Sequence, residues 1–73
     1  MEIFGYEKRN NPSLLKLSEV TFKIKVDELK NVIAFFQHIE EKIQNYGKDF
    51  NHEHYKDFIK NTSNDADIII TAN

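Results

Sequence analysis

The residues best suited to chemistry lie in one ten-residue run, Asp49 to Phe58 (DFNHEHYKDF). This run contains two of the three histidines of the chain, His52 and His54. Side chains two residues apart on a strand project from the same face, so the two imidazoles would lie close enough to share a metal ion or another bound group. The pair is compatible with a metal site, with a binding surface, and with ordinary solvent-exposed residues of a sheet.

A metal site would require further ligands, and the predicted secondary structure places the candidates away from the histidine pair. His38 falls on the far side of a predicted helix, and Glu53 and Asp57 fall on the opposite face of the same predicted strand. The chain also lacks a Ser-His-Asp pattern, and its two glycines are too few for a glycine-rich phosphate loop. We therefore predict a non-enzymatic protein with no metal, no cofactor and no catalytic residues.

Length and composition narrow the class of protein. The 73 residues are enough for a single domain, residues 1–73, and the absence of cysteine excludes a disulfide framework. The net charge is -2 and no basic tract is present, so nucleic acid is not the expected partner. No stretch approaches the roughly 18 apolar residues of a membrane span, and no signal-peptide pattern opens the sequence. We expect a soluble, cytoplasmic protein that does not contact membranes.

The N-terminal third predicts two strands. Residues 2–8 alternate weakly in polarity and are followed by a turn sequence at 10–13 that contains Asn11 and Pro12. A second strand is predicted for residues 14–26. Its apolar residues change from odd to even positions near Ser18, which predicts a β-bulge there.

A helix is predicted from Asp27 to Tyr46. Asp27 is a suitable N-cap and Gly47 a suitable C-terminal stop. Between them one apolar stripe is expected to pack on the sheet, with Phe35 and Tyr46 at one edge and Glu40 as the exception within it. The stripe comprises Leu29, Val32, Ile33, Phe36, Ile39 and Ile43.

Residues 50–59 and 66–72 predict the third and fourth strands. The expected fold is α+β, a four-stranded, mainly antiparallel sheet with one helix packed on one face, in the order β-β-α-β-β. One helix covers one face of such a sheet, so the other face stays open to solvent or to a partner.

We expect Tyr55 and Ile59 to point inward, because the opposite orientation would bury two histidines and a lysine. His52, His54 and Lys56 then lie on the open face, beside Lys23 and Lys25 if the second and third strands are neighbours. The predicted partner-binding surface consists of His52, His54, Lys56, Lys23 and Lys25.

Several short motifs resemble those of a known family. They are Leu-x-Leu-Ser-Glu-Val-Thr at 15–21, Ala-Phe-Phe at 34–36, His-Glu-His-Tyr-x-Asp at 52–57 and Asp-Ile-Ile-Ile at 67–70. In this order they resemble a family of small bacterial immunity proteins, immunity protein family thirty-two of polymorphic toxin systems. The resemblance spans roughly residues 15 to 71 and implies an α+β domain that binds and neutralises a toxin. The motif positions carried over are Ser18, Glu19, His52, His54, Asp57 and Asp67.

Two other classes of protein stay open. One is a metal-binding or small enzymatic domain centred on His52 and His54. The other is a homodimerising module, because a sheet with a single helix leaves apolar residues such as Phe50 and Phe58 uncovered.

Overall fold

The computed structural model describes residues 1–63 and 65–72. In these residues the chain forms four short strands, two α-helices and one 3-10 turn. In chain order they are β1 (Ile3–Tyr6), β2 (Leu14–Leu17), α1 (Val26–Tyr46), the 3-10 turn Gly47–Asp49, β3 (His52–His54), α2 (Tyr55–Ile59) and β4 (Ile69–Thr71). The predicted α+β class and its single long helix are confirmed.

The strands form two separate two-stranded antiparallel sheets within the described residues, instead of the single predicted sheet of four. In the first, Ile3 lies opposite Leu17, and in the second His54 lies opposite Ile69. The second strand was predicted to continue to Val26 but ends at Leu17. Residues 18–25 have no regular structure, so the change in apolar parity near Ser18 ends the strand instead of forming a bulge.

Helix α1 begins one residue before the predicted N-cap. Asp27 lies within its first turn, where its negative charge interacts favourably with the helix dipole, and Lys25 takes the capping position without a side-chain hydrogen bond. The predicted C-terminal stop is confirmed: Gly47 has φ 53° and ψ -123°, and its amide donates to the Ile43 carbonyl. This backbone conformation favours glycine because it has no Cβ.

The buried core consists of Val32, Phe35, Ile39 and Tyr55. Phe36, which we predicted to be buried, is 41% exposed, while its neighbour Phe35 is 0% exposed. The apolar arc of α1 is wider than the surface packed against it, and the covered side is the one centred on Phe35. Six partly buried residues surround the core: Ile24, Ile43, Phe50, Ile59, Ile68 and Ile70.

The predicted third strand is replaced by a strand followed directly by a short helix. Strand alternation ends at His54, and Tyr55 begins α2 with its amide donating to the Ile68 carbonyl at 2.7 Å. Tyr55 and Ile59 point inward as predicted, but they share one side because they are four residues apart on a helix. The predicted fourth strand, residues 66–72, is shortened to Ile69–Thr71.

Candidate functional site

Asp67 joins the segments that surround the histidine pair. Its Oδ1 accepts hydrogen bonds from the backbone amides of Lys56 and Ile68, both at 2.9 Å, and its Oδ2 accepts one from His54 Nδ1 at 2.7 Å. Partial burial acts to raise the pKa of Asp67, but these three hydrogen bonds together outweigh it and lower the pKa below its ordinary value. The carboxylate therefore stays ionised and fixes the start of α2 against the chain leading into β4.

The contact with Asp67 determines the orientation of the His54 ring. An ionised carboxylate only accepts hydrogen bonds, so Nδ1 of His54 carries the proton and Nε2 is left as the second ring nitrogen. The His52 and His54 rings lie 5.3 Å apart, edge to face, on the same side of β3. His52 is exposed and its Nδ1 lies 3.1 Å from Asn51 Oδ1. The two imidazoles thus form a small, partly fixed surface.

Lys56 is held at this surface by its backbone amide, which donates to Asp67 Oδ1. Its Nζ donates to the Ser63 carbonyl and so ties α2 to the loop that follows it. We define the histidine patch as His52, His54, Lys56 and Asp67. It combines two imidazoles, one anchored cation and one ionised carboxylate.

Lys23 and Lys25 are not brought to the patch by sheet pairing. They lie in residues 18–25, which form no strand, and β2 pairs with β1 while β3 pairs with β4. Their predicted position beside the histidines depended on the second and third strands being neighbours. That pairing is absent from the described residues.

The other side of β3 carries an ionic cluster that the sequence pattern did not predict. Glu53 accepts hydrogen bonds from His38 Nε2, at 2.8 Å, and from the Lys42 ammonium. The Lys42 contact lowers the pKa of Glu53, partial burial opposes the shift, and the His38 contact adds to it. We predicted His38 to lie on the far side of the helix, yet its ring also packs 5.0 Å from the Phe58 ring. The cluster connects α1 to β3.

A second polar contact connects the opposite end of α1 to α2. The buried Tyr55 hydroxyl donates to Glu28 Oε2. Burial and this acceptor together raise the pKa of Tyr55 to about 12. The phenol therefore stays neutral at physiological pH and acts as a structural hydrogen-bond donor.

Two motif positions that lie far apart in the sequence meet in space, and sequence reasoning did not foresee the contact. His54 and Asp67 are 13 residues apart and form a direct hydrogen bond. Ser18 and Glu19 follow β2 in irregular chain, and Asp57 is exposed on α2. The pairing depends on β3 and β4 aligning, and no local pattern encodes that alignment.

Within residues 1–63 and 65–72, no group of three or more His, Cys, Asp or Glu residues is arranged to hold a metal ion. The helices of this described part are too short or too polar to cross a membrane. No protein-family model, curated protein or solved structure matches the chain.

Proposed function

We propose that this chain is a non-enzymatic, cytoplasmic protein-binding domain, an immunity protein that neutralises a bacterial toxin by binding it through the histidine patch. The observation that carries the proposal is the hydrogen bond from His54 to Asp67. It joins two motifs of the resemblance, His-Glu-His-Tyr-x-Asp at 52–57 and Asp-Ile-Ile-Ile at 67–70, one from each strand of the second sheet. It also holds a recognition side chain in one orientation, which lowers the entropy lost on binding.

The chemistry of the patch favours a partner with acidic groups. His52 is exposed, and the side chain of His54 is 37% exposed. Each imidazole has ring nitrogens that can hydrogen-bond to a partner. Asp67 is occupied by its three donors, so its charge is partly balanced within the chain. Carboxylates on the partner would meet the imidazoles directly.

The proposal is tested with the product of a toxin reading frame directly upstream of the gene for this chain. Co-expression of the chain should restore growth of cells that produce that toxin, and the purified proteins should form a complex. His54→Asp places a carboxylate beside Asp67 and presents a negative charge to an acidic partner, so it should weaken the complex at least ~10-fold. Lys56→Glu should act in the same direction.

The matched control is Lys8→Glu, an equal charge reversal in the exposed loop between β1 and β2. It should leave binding and growth rescue unchanged. Circular dichroism must show that each variant is folded. If folded His54→Asp and Lys56→Glu bind the toxin as tightly as the unmodified chain, the histidine patch is not the contact surface.

One observation favours a second candidate, a metal-binding domain. A carboxylate that holds one ring nitrogen of a histidine is a common arrangement behind metal-ligating imidazoles. His54 Nε2 and the adjacent His52 ring would be the ligands, with the remaining positions filled from outside the pair. Zinc titration with a chelator control separates the candidates, because the immunity proposal expects no stoichiometric zinc complex and no zinc-dependent stability.

A further inference from the structure

A second surface, separate from the histidine patch, lies along α1. Val26, Leu29, Ile33 and Phe36 are 66%, 42%, 48% and 41% exposed. They follow one another at intervals of three, four and three residues, which places them on one side of the helix. We call these four residues, together with Glu40 one turn further on, the exposed helix face. Ile33, Phe36, Gln37 and Glu40 line a shallow depression on it.

The solvent-accessible area of the chain shows how much surface the fold leaves uncovered. A compact monomer of this mass, 8.6 kDa, exposes about 4,700 Å². This chain exposes 6628 Å², an excess of about 1,900 Å² over that expectation. A standard protein interface buries about 800 Å² on each partner, and obligate homodimers bury more. The excess is large enough for a stable dimer interface.

We propose that a second copy of this chain covers the exposed helix face, with the two α1 helices packed antiparallel about a two-fold axis. The 3-4-3 spacing is that of a helix-helix seam in which each apolar residue fits between residues of the facing helix. In an antiparallel register centred between residues 34 and 35, Ile33 faces Phe36 of the second copy. The same register pairs Val26 with Ile43 and Leu29 with Glu40.

Charge selects the antiparallel arrangement over the parallel one. Glu40 is the acidic residue at the C-terminal end of the exposed helix face, and Lys25 and Lys30 flank its N-terminal end. Antiparallel packing brings each Glu40 next to the lysines and the positive helix N-terminus of the other copy. Parallel packing would place the two Glu40 carboxylates against each other. The helix face is therefore complementary to itself in one orientation.

The antiparallel arrangement also explains the position of Glu40, which interrupts the apolar arc of α1. The Glu40 carboxylate makes no hydrogen bond or ion pair with the residues that the structure describes. In the antiparallel pair this carboxylate would reach Lys30 of the second copy. Glu40 would therefore set the relative orientation of the two helices. Polar residues at seam positions have this role in other helix pairs.

Oligomeric mass is the first test. Light scattering during size-exclusion chromatography of the full chain at ~100 µM should give twice the 8.6 kDa chain mass. Ile33→Glu buries an unpaired charge only in the dimer and should raise the dissociation constant at least ~100-fold. Ile69→Glu is the matched control, because Ile69 is 54% exposed on β4 and lies outside the exposed helix face. It should leave the dimer intact.

Orientation is tested by disulfide trapping, which the absence of native cysteine makes unambiguous. Oxidation of a mixture of Val26→Cys and Ile43→Cys chains, in which both copies keep Glu40, should yield mainly the mixed pair. Mainly 26-to-26 and 43-to-43 products would overturn the antiparallel arrangement.

Two results would overturn the proposed dimer. One is a monomer mass for the unmodified chain at millimolar concentration. The other is a dimer that survives Ile33→Glu but dissociates with Ile69→Glu.

Should the chain be monomeric and Ile33→Glu abolish rescue from the toxin, the exposed helix face would be a toxin contact. Failure of the dimer leaves the histidine-patch test unaffected, because that test uses different variants and a different readout.

Discussion

Phe35 is the residue on which the packing of this small domain centres. Its ring lies 5.5 Å from both the Tyr55 and Phe58 rings, so α1 and α2 meet around it. The next residue, Phe36, has a ring centroid 6.0 Å away but is substantially exposed. Two adjacent phenylalanines therefore have different roles, one in the core and one on the surface.

We predict that Phe35→Ala destabilises the chain by about 3–5 kcal/mol, since it removes a buried ring and leaves a cavity. Phe36→Ala, measured at a concentration where the chain is monomeric, should cost far less because much of that ring is already in water. Urea unfolding followed by circular dichroism gives both values. If Phe35→Ala does not fold, Phe35→Leu gives a milder loss in the same direction. Equal losses at the two positions would contradict the assignment of the core.

At the scale of elements, polar contacts supplement the core of four buried residues in the described part of the chain. Glu53 connects β3 to α1 through His38 and Lys42, and its lowered pKa means that the native state favours the ionised carboxylate. A carboxyl group whose pKa is lowered by folding stabilises the folded state at pH values above its unfolded-state pKa, 4.5. That contribution disappears as the pH falls through the folded-state pKa.

We predict that the unmodified chain loses stability as the pH falls below about 4.5, partly through Glu53. Glu53→Gln should be less stable near neutral pH and should show a smaller further loss in acid. Thermal melts from pH 7 to pH 3 measure the difference between the two proteins. The matched control is Glu41→Gln, an exposed glutamate on α1. A Glu53→Gln profile parallel to that of the unmodified chain would show that the cluster does not contribute.

Features that depend on residues close together in the sequence were predictable. Features that depend on contacts between residues far apart in the sequence were not. The bounds of α1 follow from its apolar periodicity and from Gly47. The side that α1 buries does not, because its apolar arc is wide enough for either Phe35 or Phe36 to face inward. The same limit applies to the site: spacing predicted that His52 and His54 share a face, whereas the Asp67 contact depends on the alignment of β3 with β4.

The whole molecule is more extended than a compact chain of its length. Its radius of gyration is 13.3 Å, against about 11 Å expected for 73 residues. The hairpin of β1 and β2 leaves Phe4, Tyr6 and Leu14 exposed on one of its faces. A two-stranded hairpin is marginally stable alone in water. Association would supply the burial that the single chain lacks.

Dimerisation predicts that stability depends on protein concentration. Mass action favours the associated state by about 1.4 kcal/mol per dimer for each tenfold increase in concentration, or half of that per chain. For a domain of this size the melting temperature should rise about 3–5 °C per tenfold increase. Ile33→Glu should abolish this dependence, and Ile69→Glu should retain it. Melts recorded from 1 µM to 1 mM provide the measurement. A melting temperature of the unmodified chain that stays constant across this range would mean that the folded state is the isolated monomer, despite the apolar surface that it exposes.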